Sequence, residues 1–299
     1  MGQDLARNFE AARATFAEAD EALGLKLSKL CFDGPEAELR ITANTQPAIL
    51  ATSIAALRAL HSEYGVIGEL AAGHSLGEYT ALVAAGSIRF ADAIRLVRER
   101  GRLMQEACPA GEGSMAALIG LELATVEAIC AEASVGGEIA VPANLNAPGQ
   151  IVIAGHLGAV RRAIKLAEDR GSPMSVELNV SAPFHSPLMR PARDAMRPIL
   201  EGLEVNQPRF GVIANVSAEI NRDRSQIVPL LIEQITAPVR WEESMVRLGS
   251  TGVDAAIEFG PGRVLAGLMR RINKGLKVHA TEDQATIRAI GKLITAPSG

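Results

Sequence analysis

Gly73-His74-Ser75-Leu76-Gly77 sets a serine between two glycines in the pattern G-x-S-x-G. Where a strand turns sharply into a helix, this spacing exposes the hydroxyl above helix N–H groups that can stabilise an oxyanion. Cβ atoms beside such a turn crowd, so the pattern predicts a steric need for glycine on both sides. Five residues alone fit two readings, a nucleophile or a small residue in a turn. A nucleophilic serine requires a base. His61 and His279 read as solvated residues near element ends, and His156 as a cap or turn residue. His74, adjacent in sequence, does not face Ser75 along a helix or strand. His185 remains, held in Ser181-Ala182-Pro183-Phe184-His185-Ser186-Pro187 by two prolines. It is the candidate general base, and the alternative is a surface loop histidine.

Arg100 is the next informative residue. On a 100° wheel it shares a face with Ala93, Leu96, Val97, Leu103 and Met104, whereas Arg95, Arg98 and Arg102 point the other way. A guanidinium turned towards a core requires a partner. Two partners fit: an internal carboxylate such as Glu258, or the carboxylate of a ligand held by the guanidinium fork. Asn144 and Asn146 beside Pro148-Gly149 read as turn residues. Gly260-Pro261-Gly262 lacks the lysine and spacing of a phosphate loop, so it reads as a turn.

Elements must hold these residues in place. Helical spacing runs over Pro47–Leu60, a weak apolar strand over Leu70–Ala72, a helix over Leu76–Ala85 ended by Gly86, and a helix over Ala91–Glu106. Strand Met115–Ile119, helix Ala124–Ala133, strands Ile139–Ala143 and Ile151–Ala154, helix Val160–Arg170 and strand Met174–Val180 follow. That β-α-β-β-α-β order predicts a ferredoxin-like small domain over 114–181, inserted into a larger α/β domain over 1–113 and 182–299. The larger domain resumes with strand Val212–Val216, helix Ile227–Gln234, strand Ala255–Phe259 and a helix through Leu265 and Leu268. This alternation predicts a parallel sheet. Ala296–Gly299 are expected to fray.

Composition narrows the class. Of 299 residues, 48% are hydrophobic and 21% charged, which suits a full globular core. The net charge of −4 comes without a basic patch, which argues against nucleic acid. Cys31, Cys108 and Cys130 form no C-x-x-C pair, which suits a reducing, cytoplasmic setting without a zinc site. No apolar run is long enough to span a membrane, and Met1–Glu10 lacks a signal-peptide core.

With Ser75, Arg100 and His185 assembled, the chain resembles the malonyl-CoA:acyl-carrier-protein transacylase family over nearly its whole length. The matching stretches are T-Q-P-A (45–48), G-H-S-L-G-E-Y (73–79), R-G-R-L-M-Q-E-A (100–107) and N-x-N-x-P-G-Q (144–150). S-A-P-F-H-S (181–186), Q-x-x-x-P-V-x-W (234–241) and E-x-G-P-G (258–262) complete them. The resemblance implies an α/β-hydrolase-like large domain and a ping-pong acyl transfer. Ser75 would be acylated, His185 would be its base, and Gln234 would orient His185 through its backbone carbonyl. Arg100 would hold the malonyl carboxylate, and Leu76 and Phe184 would mark a malonyl-type acyl site. Malonyl-CoA and holo acyl-carrier protein would be the partners, with no cofactor beyond the coenzyme A thioester. Family members also carry an apolar strand and a G-Q-G-S-Q loop whose glutamine supplies an oxyanion donor. Met1–Leu5 match the stretch just after that loop, so the chain as numbered is expected to acylate slowly and to aggregate. Three alternatives stay open: a serine thioesterase or hydrolase, a trans-acting polyketide acyltransferase, and a non-catalytic carrier-protein docking module.

Overall fold

The computed structural model describes residues 1–109, 111–180 and 182–295, so the expectation for Ala296–Gly299 lies outside the described residues. Four helices come first: α1 (Gln3–Asn8), α2 (Glu10–Leu23), α3 (Leu27–Asp33) and α4 (Glu36–Leu39). They lead into α5 (Thr42–Tyr64), which begins earlier and ends later than its periodicity predicts. Gly65 ends it in the left-handed conformation, where a residue without Cβ closes a helix at least cost. Strand β1 (Leu70–Ala72) then turns through Gly73–Ser75 into α6 (Leu76–Ala84), followed by α7 (Phe90–Glu106).

α7 packs along α5, and the contact is close because of Gly101. A Cβ there would lie 2.5 Å from the Thr42 carbonyl oxygen. The missing side chain lets α7 approach the first turn of α5, which sets Arg100 beside Gln46. Arg95 and Arg102 remain on the outer face as predicted. Arg100 is 1% exposed, and its helix also buries Ala93, Leu96, Val97 and Met104.

The middle of the chain builds a second core. β2 (Gly113–Ile119), α8 (Leu123–Ala133), β3 (Ala140–Ala147), β4 (Gln150–His156), α9 (Leu157–Asp169) and β5 (Met174–Glu177) follow the predicted order. Their strands pair antiparallel in the order β3-β4-β2-β5. α8 buries Val126, Ile129 and Ala133, and α9 buries Val160, Ala163 and Ala167, at helical spacing against that sheet. Asn144 and Asn146 sit on β3 rather than in a turn. β3 is bulged near them, and its Ala143 and Leu145 bond to Val239, joining the small sheet to the rest of the fold.

After a 3₁₀ turn at Pro187–Met189 come α10 (Arg190–Glu201), β6 (Gly211–Ile213), β7 (Ile220–Asn221), α11 (Arg224–Gln234) and α12 (Trp241–Gly249). β8 (Ala255–Phe259), α13 (Val264–Ile272), β9 (Lys277–Thr281) and α14 (Gln284–Thr295) complete the order. The expected parallel sheet is only partly realised. β1 pairs parallel with β6, and β8 with β9, but β7 adds antiparallel to β6, and among the described residues the two groups share no ladder. The architecture is α/β with mixed sheets. His279 lies within β9 rather than at an element end.

Among the described residues no helix is long and apolar enough to cross a membrane.

Candidate active site

The elbow at Ser75 is strained, as its motif requires. Ser75 has φ 51° and ψ −105°, a region L-residues rarely enter. The need for glycine is one-sided, which corrects the expectation for Gly77. A Cβ on Gly73 would lie 1.9 Å from the Gly77 carbonyl oxygen, whereas a Cβ on Gly77 meets nothing within 4 Å. Gly73→Ala is therefore expected to cost several kcal/mol or abolish folding, through backbone overlap. Gly77→Ala should stay within about 1 kcal/mol of the parent and can gain helix propensity. Urea denaturation of the two variants checks this pair.

Ser75 Oγ lies 2.7 Å from His185 Nε2. His185 Nδ1 donates to the Gln234 backbone carbonyl at 2.9 Å, which leaves Nε2 as the acceptor for the serine proton. His185 is itself in a left-handed backbone conformation (φ 57°) and is 3% exposed, so it is not a surface histidine. Burial, then the nearby Arg100 charge, lowers its pKa to about 3. The imidazole is thus neutral and able to accept a proton across the physiological range.

Stability carries the mark of that shift. An unfolded histidine titrates near 6.5, so between about pH 6.5 and 3 the unfolded chain binds a proton the native one does not. Stability from this group is present above about 6.5 and is lost as pH falls towards 3. Glu78 acts in the opposite sense, because burial raises its pKa to about 7 and the native state holds the extra proton between about 4.5 and 7. The clean readout is a difference: the Tm gap between the parent and His185→Gln should close, or invert, as pH falls from 6.5 to 4. A gap independent of pH would contradict a buried neutral imidazole.

Arg100 reaches the same serine. Its Nη2 donates to Ser75 Oγ at 3.1 Å and to Gln234 Oε1 at 2.9 Å, and its Nη1 donates to Gln46 Oε1 at 2.8 Å. The Tyr79 ring lies 5.3 Å from Arg100 Cζ. Glu258 is not its partner. That carboxylate accepts from the Leu265 and Ala266 N–H groups and caps α13, just after the Gly260–Gly262 turn. Among the described residues no carboxylate lies within ion-pair distance of Arg100.

The fold therefore brings Ser75, His185, Gln234 and Arg100 together. Leu76 opens α6 directly after Ser75, so its N–H has no intrahelical acceptor. Phe184 is half-buried and packs against both the large cluster and a separate small group of Met115, Ala143, Val152 and Ala154.

Sequence reasoning missed three polar residues at this site. Gln46 lies within the T-Q-P-A stretch, where no role is legible. Asn215 follows β6; its Oδ1 accepts from Ser75 N at 2.7 Å and its Nδ2 donates to the Gly73 carbonyl at 2.7 Å. Glu78 accepts from Gln234 Nε2 at 2.7 Å and from Asn215 N at 3.1 Å. His74 turns away from Ser75 as expected, with its Nε2 2.8 Å from Asn146 Oδ1 and its ring against Trp241.

Known proteins share this arrangement of chain. A family model described as "Acyl transferase domain" matches residues 1–296. The chain is 45% identical to the malonyl CoA-acyl carrier protein transacylase of Bacillus subtilis, over 96% of this chain and 90% of that protein. It is 42% identical to the protein of the same name from Escherichia coli K12, over 97% and 93%. Among solved structures, a type II PKS acyl-carrier protein in complex with its malonyl-transacylase matches with TM-score 0.95 at 44% identity, over 98% of this chain and 94% of that one. An acyl-carrier-protein-S-malonyltransferase from Bartonella henselae matches with the same TM-score, identity and coverage.

Proposed function

This chain belongs to the acyl transferase domain family, and from that premise we propose that it moves malonyl from malonyl-CoA to acyl-carrier protein through an ester on Ser75. The observation that carries the reading is the Arg100 fork 3.1 Å from Ser75 Oγ, buried and without a carboxylate of its own among the described residues. A malonyl group esterified at Ser75 brings a free carboxylate to that fork. A simple esterase has no use for such a cation. The small antiparallel domain, 114–181, is read as ferredoxin-like, and the rest, 1–113 and 182–299, as an α/β-hydrolase-like catalytic domain. The antiparallel order β3-β4-β2-β5 and the strand–turn–helix elbow support those two readings.

The chemistry runs in two matched halves. Ser75 Oγ attacks the thioester carbonyl while His185 Nε2 takes the hydroxyl proton. Gln234 accepts from Nδ1 through its backbone carbonyl and holds the ring in the required tautomer, the part an acidic residue plays in other triads. The negative charge on the former carbonyl oxygen develops beside the Leu76 N–H at the start of α6. The C–S bond breaks, and the coenzyme A sulfur leaves with the proton from His185. In the second half the phosphopantetheine thiol attacks the ester, gives its proton to His185, and expels Ser75 Oγ, which recovers that proton. Leu76 and Phe184 would form the apolar wall around the short acyl chain. No step calls for a cofactor beyond the coenzyme A thioester itself.

Malonylated protein, freed of coenzyme A, distinguishes transferase from hydrolase. Holo acyl-carrier protein should discharge the ester at least about a hundred-fold faster than water, as binding and orientation of the second thiol require. Equal discharge in buffer alone would identify a thioesterase.

A further inference from the structure

Glu78 takes no part in the proton path between Ser75 and His185, yet its carboxylate is 3% exposed in the same network. Carboxylates are rarely buried without a strong reason. Its two partners explain its position. Glu78 Oε2 accepts from Asn215 N, and Asn215 in turn fixes Ser75 N and the Gly73 carbonyl. The same oxygen accepts from Gln234 Nε2, whose amide also donates to the Ser75 carbonyl oxygen at 3.0 Å. The other end of that amide, Oε1, accepts from Arg100 Nη2. The Gln234 amide therefore lies head to tail between a buried carboxylate and a buried guanidinium, its dipole aligned with both charges. Burial opposes the charge on each group and each favours the charged form of the other, so Glu78, raised to about 7, carries its charge above that pH.

We propose that Glu78 is a positioning and specificity-setting residue: through the Gln234 amide it balances the Arg100 charge while the acyl site is empty, and a malonyl carboxylate takes over that balance on loading. This rests on the reading that Ser75 carries malonyl. The arrangement avoids a direct ion pair. A carboxylate touching Arg100 would occupy the fork and compete with malonyl; one amide away, it stabilises the cation and leaves the face towards Ser75 free. Acetyl, lacking a carboxylate, cannot assume the role.

Measured at about pH 8, where Glu78 is ionised, Glu78→Gln keeps the length and an acceptor oxygen but removes the charge. The expected result is a lower Tm for the free protein, most of the loss recovered on malonylation and none on acetylation. The ratio of kcat/KM for malonyl-CoA over acetyl-CoA should rise about ten-fold, as the freed guanidinium gains from any incoming anion. Glu78→Asp, with the charge retained, should hold the parent ratio even if less stable. A Tm loss equal in the free, malonylated and acetylated forms, with an unchanged ratio, would overturn the proposal and make Glu78 a scaffold residue only. Should Glu78→Gln fail to fold, the double variant Glu78→Gln/Arg100→Gln decides: recovery of soluble, cooperative folding supports charge balance, and no recovery refutes it. The parent protein runs alongside. If the parent takes up no malonyl, the functional reading fails; if it does and the variants behave alike, only the role of Glu78 fails.

Discussion

Ser75→Ala is expected to lower malonyl uptake from malonyl-CoA by about 10⁴–10⁶, the scale of losing the nucleophile of a serine–histidine pair. His185→Ala should cost about 10²–10⁴, because the hydroxyl and the Leu76 N–H remain while the proton acceptor is lost. Neither variant should unfold the protein. Truncating Ser75 to alanine removes one oxygen whose neighbours keep other partners: Arg100 Nη2 still donates to Gln234 Oε1, and Ser75 N still donates to Asn215. The elbow conformation is set by Gly73, Asn215 and Gln234 rather than by the hydroxyl. The check is single-turnover acylation measured beside the Tm of each variant. Malonyl still attached to the Ser75→Ala protein at the parental rate would end the assignment.

Arg100→Ala should separate malonyl from acetyl. Loss of one partner from a desolvated charge pair costs about 3–5 kcal/mol, so malonyl transfer should fall by roughly two to three orders of magnitude or more. Acetyl transfer has no such pair to lose and should change far less. Removing the guanidinium leaves the Gln46 and Gln234 side-chain oxygens without their donor, so some stability is lost for both substrates alike. The decisive quantity is the ratio of kcat/KM values, which cancels that common loss. An unchanged ratio would mean that Arg100 is a structural residue.

The parts of this site that were legible in the sequence are those that chemistry forces into a local pattern. The elbow shows itself because a strand, a sharp turn and a helix must be adjacent. Arg100 shows itself because a cation breaks an otherwise apolar helix face. His185 stands out through its flanking prolines, whereas Gln234 entered only through the resemblance, since a backbone carbonyl leaves no trace in residue type. Glu78 and Asn215 were illegible for a different reason: their bond joins residues 137 apart, and neither sits in a periodic pattern that marks it as inward. In the fold, the β-α-β-β-α-β run was readable because each element carries its own period. α10 was not, although Ala192, Met196 and Leu200 bury one face at i, i+4 and i+8. Prolines at 191 and 198 obscure that period, although Pro191 falls in the first turn, where its missing N–H costs nothing. The parallel-sheet expectation failed at β7 because two residues, Ile220 and Asn221, carry too little pattern to reveal an antiparallel edge.

The central claim, that Ser75 carries malonyl on its way to a pantetheine thiol, is tested most directly by the mass of the intact protein and of its Ser75 peptide. The protein is incubated with malonyl-CoA and then with holo acyl-carrier protein. The expected result is one malonyl group per chain, located on Ser75, lost on addition of the carrier and recovered in equal amount on its pantetheine. Malonyl on another residue, or its release as free malonate with none on the carrier, would contradict the account.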